Sequence, residues 1–125
     1  MKMRIRGNTL RLRLTRGEVA EIEAGNGVSE QTHFPDGSIL RYEMVPGQAQ
    51  AAGMQRDGDV QVIRIEVPRG AAAEWAAGDE VGLTGDGPFN VGPMAVLIEK
   101  DFTCITPRTG EEEADTYPNP NALSA

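Results

Sequence analysis

The chain has 125 residues, a formal charge of −7 and 39% of its residues in the hydrophobic set AVILMFWYC, which suits one folded domain around one core and not a disordered chain. The longest uninterrupted apolar run, Met94 to Ile98, is far too short to span a bilayer. The basic start Met1-Lys-Met-Arg-Ile-Arg6 leads into no apolar leader stretch, and the single cysteine, Cys104, excludes an intrachain disulfide framework, so the expectation is a reduced, cytoplasmic protein without membrane association.

Met3 and Ile5 are apolar at odd positions and Leu10, Leu12 and Leu14 at even ones, with Arg4, Arg6, Arg11 and Arg13 between them. Each run alternates as a strand with one buried face does, and Gly7-Asn8 is suited to the turn or bulge that absorbs the change of phase. Thr15-Arg-Gly-Glu18 has the form of a capping box and predicts a short helix over Arg16 to Ala24, with Val19 and Ile22 toward the core and Gly25-Asn26-Gly27 ending it. Val28 to Phe34 and Ile39 to Val45 read as strands joined by the hairpin signal Pro35-Asp-Gly-Ser38. Pro46 to Asp59 lacks periodicity and reads as a flexible loop, and Val60 to Val67 reads as the next strand. Pro68 opens a helix through Ala77 with Trp75 as its anchor. A strand over Glu80 to Thr84, a Gly/Pro loop over Gly85 to Pro93 and a last strand over Met94 to Glu99 complete the globular part. From Pro107 onward prolines and acidic residues predict a flexible tail.

Residues 10–30 align with residues 63–83 at a constant offset of 53, with eight of 21 positions identical, among them Arg16/Arg69, Gly17/Gly70, Glu21/Glu74 and Gly25/Gly78. A duplicated unit of this size usually buries its apolar faces against its copy. The expected fold is therefore α+β, mainly β: a tandem duplication of a β-α-β-β unit forming one antiparallel, barrel-like sheet with two short helices. Residues 1–106 would be one globular domain of two pseudo-repeats, about 1–45 and 58–100, followed by the acidic tail 107–125. Gly25 and Gly78 are expected in the same positive-φ conformation.

The charge is unevenly distributed. Residues 1–16 hold Lys2, Arg4, Arg6, Arg11, Arg13 and Arg16 and no acidic residue, so the rest of the chain carries −13. Two readings compete: the arginines pair with carboxylates on neighbouring strands, or they form an anion-binding surface of Arg4, Arg6, Arg11, Arg13 and Arg64. The acidic balance disfavours nucleic acid, which needs a net positive field over the contact face, leaving only a local patch for such a partner. His33 and Cys104 are the only residues of their kinds and show no metal-ligand spacing, with His33 expected beside a hairpin turn facing solvent. The Gly85 to Gly92 loop lacks the Lys-Ser/Thr ending of a phosphate loop. Alternating Arg41, Glu43, Arg64, Glu66 and Glu99, with the arginines above, would instead line a charged tunnel if a closed barrel turned them inward.

Val67-Pro-Arg, Gly78-Asp-Glu-Val81, the strand Val96-Leu-Ile98 and the start Arg6-Gly-Asn-Thr-Leu-Arg-Leu-Arg-Leu14 resemble the swapped-hairpin module of AbrB-type transcription factors and MazE-type antitoxins. That resemblance implies a DNA-binding module that is normally dimeric, here with both halves in one chain. The charged alternation resembles the triphosphate tunnel enzymes, although Glu21-Ile-Glu23 continues to Gly25 where their strand motif has lysine. The whole chain resembles a bacterial family of small uncharacterised proteins, through Met3-Arg-Ile-Arg-Gly-Asn8, Glu99-Lys-Asp-Phe-Thr-Cys104 with Arg108, and Pro118-Asn-Pro120. The functional expectation is a small binding or adaptor protein, with no catalytic residues, cofactor or metal. Its partner would be a protein or small anionic ligand of unknown identity.

Overall fold

Strands β1 (Lys2–Arg6) and β2 (Thr9–Leu14) form an antiparallel hairpin across Gly7-Asn8, and Gly7 has φ of 55°, a left-handed conformation that glycine enters freely. A computed structural model of the chain describes residues 1–101. Helix α1 (Arg16–Glu23) follows, then the hairpin of β3 (Val28–His33) and β4 (Ile39–Gly47). A second hairpin, β5 (Ala51–Asp57) with β6 (Val60–Pro68), leads into α2 (Arg69–Ala77) and a final hairpin of β7 (Phe89–Val91) and β8 (Met94–Lys100).

The strands assemble into two sheets, sheet A in the order β1-β2-β8-β7 and sheet B in the order β3-β4-β6-β5. Each is mixed, because the central pairs β2/β8 and β4/β6 run parallel while the outer pairs are antiparallel hairpins. Leu10, Leu12, Leu14, Val96 and Ile98 of sheet A and Met44, Ile63, Ile65 and Val67 of sheet B belong to one buried cluster, with Ile22, Ala72 and Trp75 contributed by the helices. Each helix leaves the end of a central strand, and the two pack on each other. Burying these aliphatic side chains stabilises the fold at roughly 25 cal/mol per Å² of apolar surface removed from water.

Mainly β structure with two helices is thus present, but one antiparallel barrel is not. A period of two says only that each strand has one dry face, which two packed sheets satisfy as well as a barrel does. Each half also holds one more strand than expected and reads hairpin, helix, hairpin. The supposed loop over Pro46 to Asp59 contains the end of β4 and all of β5, whose ladder to β6 substitutes for the missing periodicity. Glu80 to Thr84 makes only a single bridge, Gly82 to Glu99, and the strand in that region is β7, inside the stretch expected to be a loop.

The two helix ends differ. The capping box of α1 is present, with Thr15 Oγ1 accepting from the Glu18 amide at 3.3 Å and Glu18 Oε1 accepting from the Thr15 amide at 2.8 Å. Pro68 at the start of α2 makes no side-chain cap. Gly25 has φ of 91°, whereas Gly78 is extended at φ −96°, so the expected equivalence of these glycines fails. Lys100 Nζ donates to the Gly78 carbonyl at 2.7 Å and satisfies the α2 terminus by another route.

Candidate anion-binding face

The leucines of β2 face the core, so its arginines face solvent. In the antiparallel register Lys2 stands opposite Arg13, Arg4 opposite Arg11, and Arg6 opposite Thr9, and residues directly opposite share one face. Five cations therefore occupy one surface of the β1–β2 hairpin. Along a strand they repeat every two residues, about 6.6 Å, and across the pair they are about 5 Å apart. Like charges in such positions destabilise a hairpin.

The neighbouring strand relieves part of that repulsion. Parallel pairing of β2 with β8 places Glu99 beside Arg13, where its Oε1 accepts from Arg11 Nε at 2.9 Å and lies 2.8 Å from the Nη2 and 3.5 Å from Arg13 Nε. Asp101 at the end of β8 lies 3.1 Å from Lys2 Nζ. Half-exposed pairs of this kind are worth about 1 kcal/mol or less. Arg4 and Arg6 make no hydrogen bond or ion pair among the described residues, and both are exposed. Two shallow hollows flank them, one of about 290 Å³ lined by Lys2, Met3, Arg4, Arg11 and Arg13, the other of about 260 Å³ lined by Arg4, Arg6, Thr9, Arg11 and Leu97.

Of the five arginines expected to act together, Arg4, Arg6, Arg11 and Arg13 share this face. Arg64 does not: it lies on β6 in sheet B and pairs with Glu43 on β4 at 3.3 Å. Lys2, outside the expected set, belongs to it, and its signal was its place two residues before Arg4. The expected pairing with a neighbouring strand's carboxylate holds for Arg11 and Arg13, which meet Glu99, whereas Arg4 and Arg6 are exposed.

A second group of charges, around the amino terminus, is engaged in structure. The Met1 amine pairs with Glu18 Oε2 at 2.8 Å and with Glu30, and the Tyr42 hydroxyl reaches the Met1 carbonyl at 3.4 Å. A cleft of about 600 Å³ lies between the helices, with Val19, Ala20 and Ala76 in its wall and Arg16, Glu23, Asp79 and Lys100 around it. His33 is exposed, 3.1 Å from Gln31, and Cys104 lies outside the described residues. Among the described residues no group of three or more His, Cys, Asp or Glu could hold a metal ion, and no helix is long and apolar enough to cross a membrane.

A family model covers residues 1–121. The chain belongs to DUF7009, a family of unknown function. No curated protein and no solved structure matches it. The matched residues include both strands of the basic hairpin and β8, which supplies its carboxylates.

Proposed function

We propose that the chain is a non-catalytic binding or adaptor protein of the reducing cytoplasm that takes an anionic partner, a protein segment or a small anionic ligand, on the outer face of sheet A. The observation that carries this is the set Lys2, Arg4, Arg6, Arg11 and Arg13 on one face, where Glu99 meets Arg11 and Arg13 and Asp101 meets Lys2, with Arg4 and Arg6 unpartnered among the described residues. An acidic protein that gathers like charges at a cost in stability has a local use for them. The open, shallow shape suits an extended anion more than a compact one.

The test is fluorescence anisotropy with a fluorescein-labelled hexaglutamate peptide at low ionic strength. Arg4→Ser/Arg6→Ser should weaken binding at least about tenfold, equivalent to ~1.4 kcal/mol. The unfolding midpoint should stay the same or rise, because a like-charge contact is removed. Equal affinity of the double variant and the wild type would overturn the proposal.

A second reading, an AbrB- or MazE-like regulator made from a tandem duplication, draws support from the topology. Exchanging the unit β1-β2-α1-β3-β4 for β5-β6-α2-β7-β8 converts the strand order of sheet A into that of sheet B. The differing helix ends count against the duplication, and the strand order counts for it. A duplex-DNA arm of the same titration separates the readings: tight binding that falls steeply with salt favours the regulator. The tunnel reading needs arginines inside a closed barrel, whereas these lie opposite the buried Leu10, Leu12 and Leu14.

A further inference from the structure

We infer that the edge of β1 takes an extended segment of a partner protein as an additional strand, one whose residues alternate between carboxylates and apolar side chains. This rests on the anion-binding reading of the outer face of sheet A and names the class of partner. β1 is an edge of sheet A, with no described strand beyond it. Its two-residue connection to β2 makes Arg6 and Thr9 a pair that exchanges backbone bonds, and bonded and unbonded pairs alternate from there. Lys2, Arg4 and Arg6 thus turn their backbone groups toward β2, while Met3 and Ile5 turn theirs outward. An outward row of backbone donors and acceptors is a template for strand addition.

Side chains specify the guest. In an added strand, residues opposite Arg4 and Arg6 lie on the outer face, and those opposite Met3 and Ile5 lie on the core face. Arg4 and Arg6 are exposed and unpartnered among the described residues, so carboxylates are the complementary neighbours. Ile5 stands opposite the buried Leu10 on the core side, yet it is 56% exposed, and its neighbour on that side, Met3, packs against the core. An apolar residue opposite Ile5 covers surface now in water. Charge on an edge strand ordinarily blunts it, and here it blunts self-pairing, because two copies of β1 side by side set cation against cation. The same charges admit an acidic strand. β3 and β5, the edges of sheet B, carry no row of like charge, and β7 is three residues long.

The experiment titrates the full chain with two fluorescein-labelled peptides of one composition, the alternating Glu-Val-Glu-Val-Glu and the blocked Glu-Glu-Glu-Val-Val, beside the hexaglutamate probe. The alternating peptide should bind at least about tenfold more tightly than the blocked one, because only it places carboxylates and apolar groups on their matching faces. Ile5→Thr should weaken the alternating peptide at least about threefold and leave hexaglutamate unchanged, whereas Arg4→Ser/Arg6→Ser should weaken both. Amide hydrogen exchange followed by NMR reads the strand directly. On binding, the Met3 and Ile5 amides should gain protection, while those of Arg4 and Arg6 are already bonded to β2 and should change little. Equal binding of the two pentapeptides, a response to hexaglutamate alone, or binding without new protection at Met3 and Ile5 overturns the strand addition and leaves the anion-binding face standing. Absence of binding by all three peptides overturns both.

Discussion

Glu18 serves two neighbours with one carboxylate. Its Oε1 closes the capping box on Thr15 and its Oε2 takes the Met1 amine. Burial pushes this carboxyl up, but the hydrogen bond from the amine, that from the Thr15 backbone and the charge of the amine outweigh it and hold Glu18 below its ordinary value of 4.5. Burial likewise works against the charged amine, yet hydrogen bonds to Glu18 and Glu30, with their charges, raise it above its ordinary 8.0. A lowered carboxylate contributes stability that is present above pH 4.5 and is lost as pH falls through its folded value. A raised amine contributes stability that is present below pH 8.0 and is lost as pH climbs through its folded value. The denaturation midpoint followed against pH should therefore show a plateau between these limits. Glu18→Gln should lower the plateau and flatten its acid side. An unchanged acid slope would mean that other carboxylates set the acid limit.

At the level of elements, the two helices occupy related places with unequal anchors. Ile22 and Trp75 are both buried, but the Trp75 indole also donates to the Val81 carbonyl at 3.0 Å, and its ring lies 5.5 Å from Lys100 Nζ. Trp75→Ala should cost about 3–5 kcal/mol and more than Ile22→Ala, because it leaves a larger cavity and an unpaired carbonyl. Chemical denaturation of the two variants checks the order. Elements of this kind were legible in the sequence because their signals are local: a capping box for α1, leucine alternation for β2, a turn tetrapeptide for β3–β4. Strand β5 was not, since Ala51-Ala-Gly-Met-Gln-Arg56 has no alternation and is extended through its ladder to β6. Strand β7 is three residues among glycines, and buried Phe89 was its only clue.

Across the whole molecule, charge is segregated by a single hairpin. The alternation that made Leu10, Leu12 and Leu14 core residues also determined that Arg11 and Arg13 face away from it, so most of the candidate site could be read before the fold was known. Arg64 could not be placed in this way, because alternation assigns a residue to a face of its own strand and not to one sheet or the other. The same holds for the parallel pairings, which depend on how hairpins far apart in the chain come together.

Those parallel pairings also order events in time. Sheet B joins β4 to β6 across a separation of 21 residues, from Ile39 to Val60, whereas sheet A joins β2 to β8 across 86, from Thr9 to Ala95. Closing the longer loop costs more chain entropy before any contact repays it. During synthesis the basic hairpin emerges long before β8, so it has no parallel partner to join until nearly the whole described chain has followed. Pulsed hydrogen exchange during refolding should protect amides of β4 and β6 before those of β2 and β8. A ribosome stalled before Met94 should hold the nascent chain with sheet A unformed, a state prone to capture by chaperones.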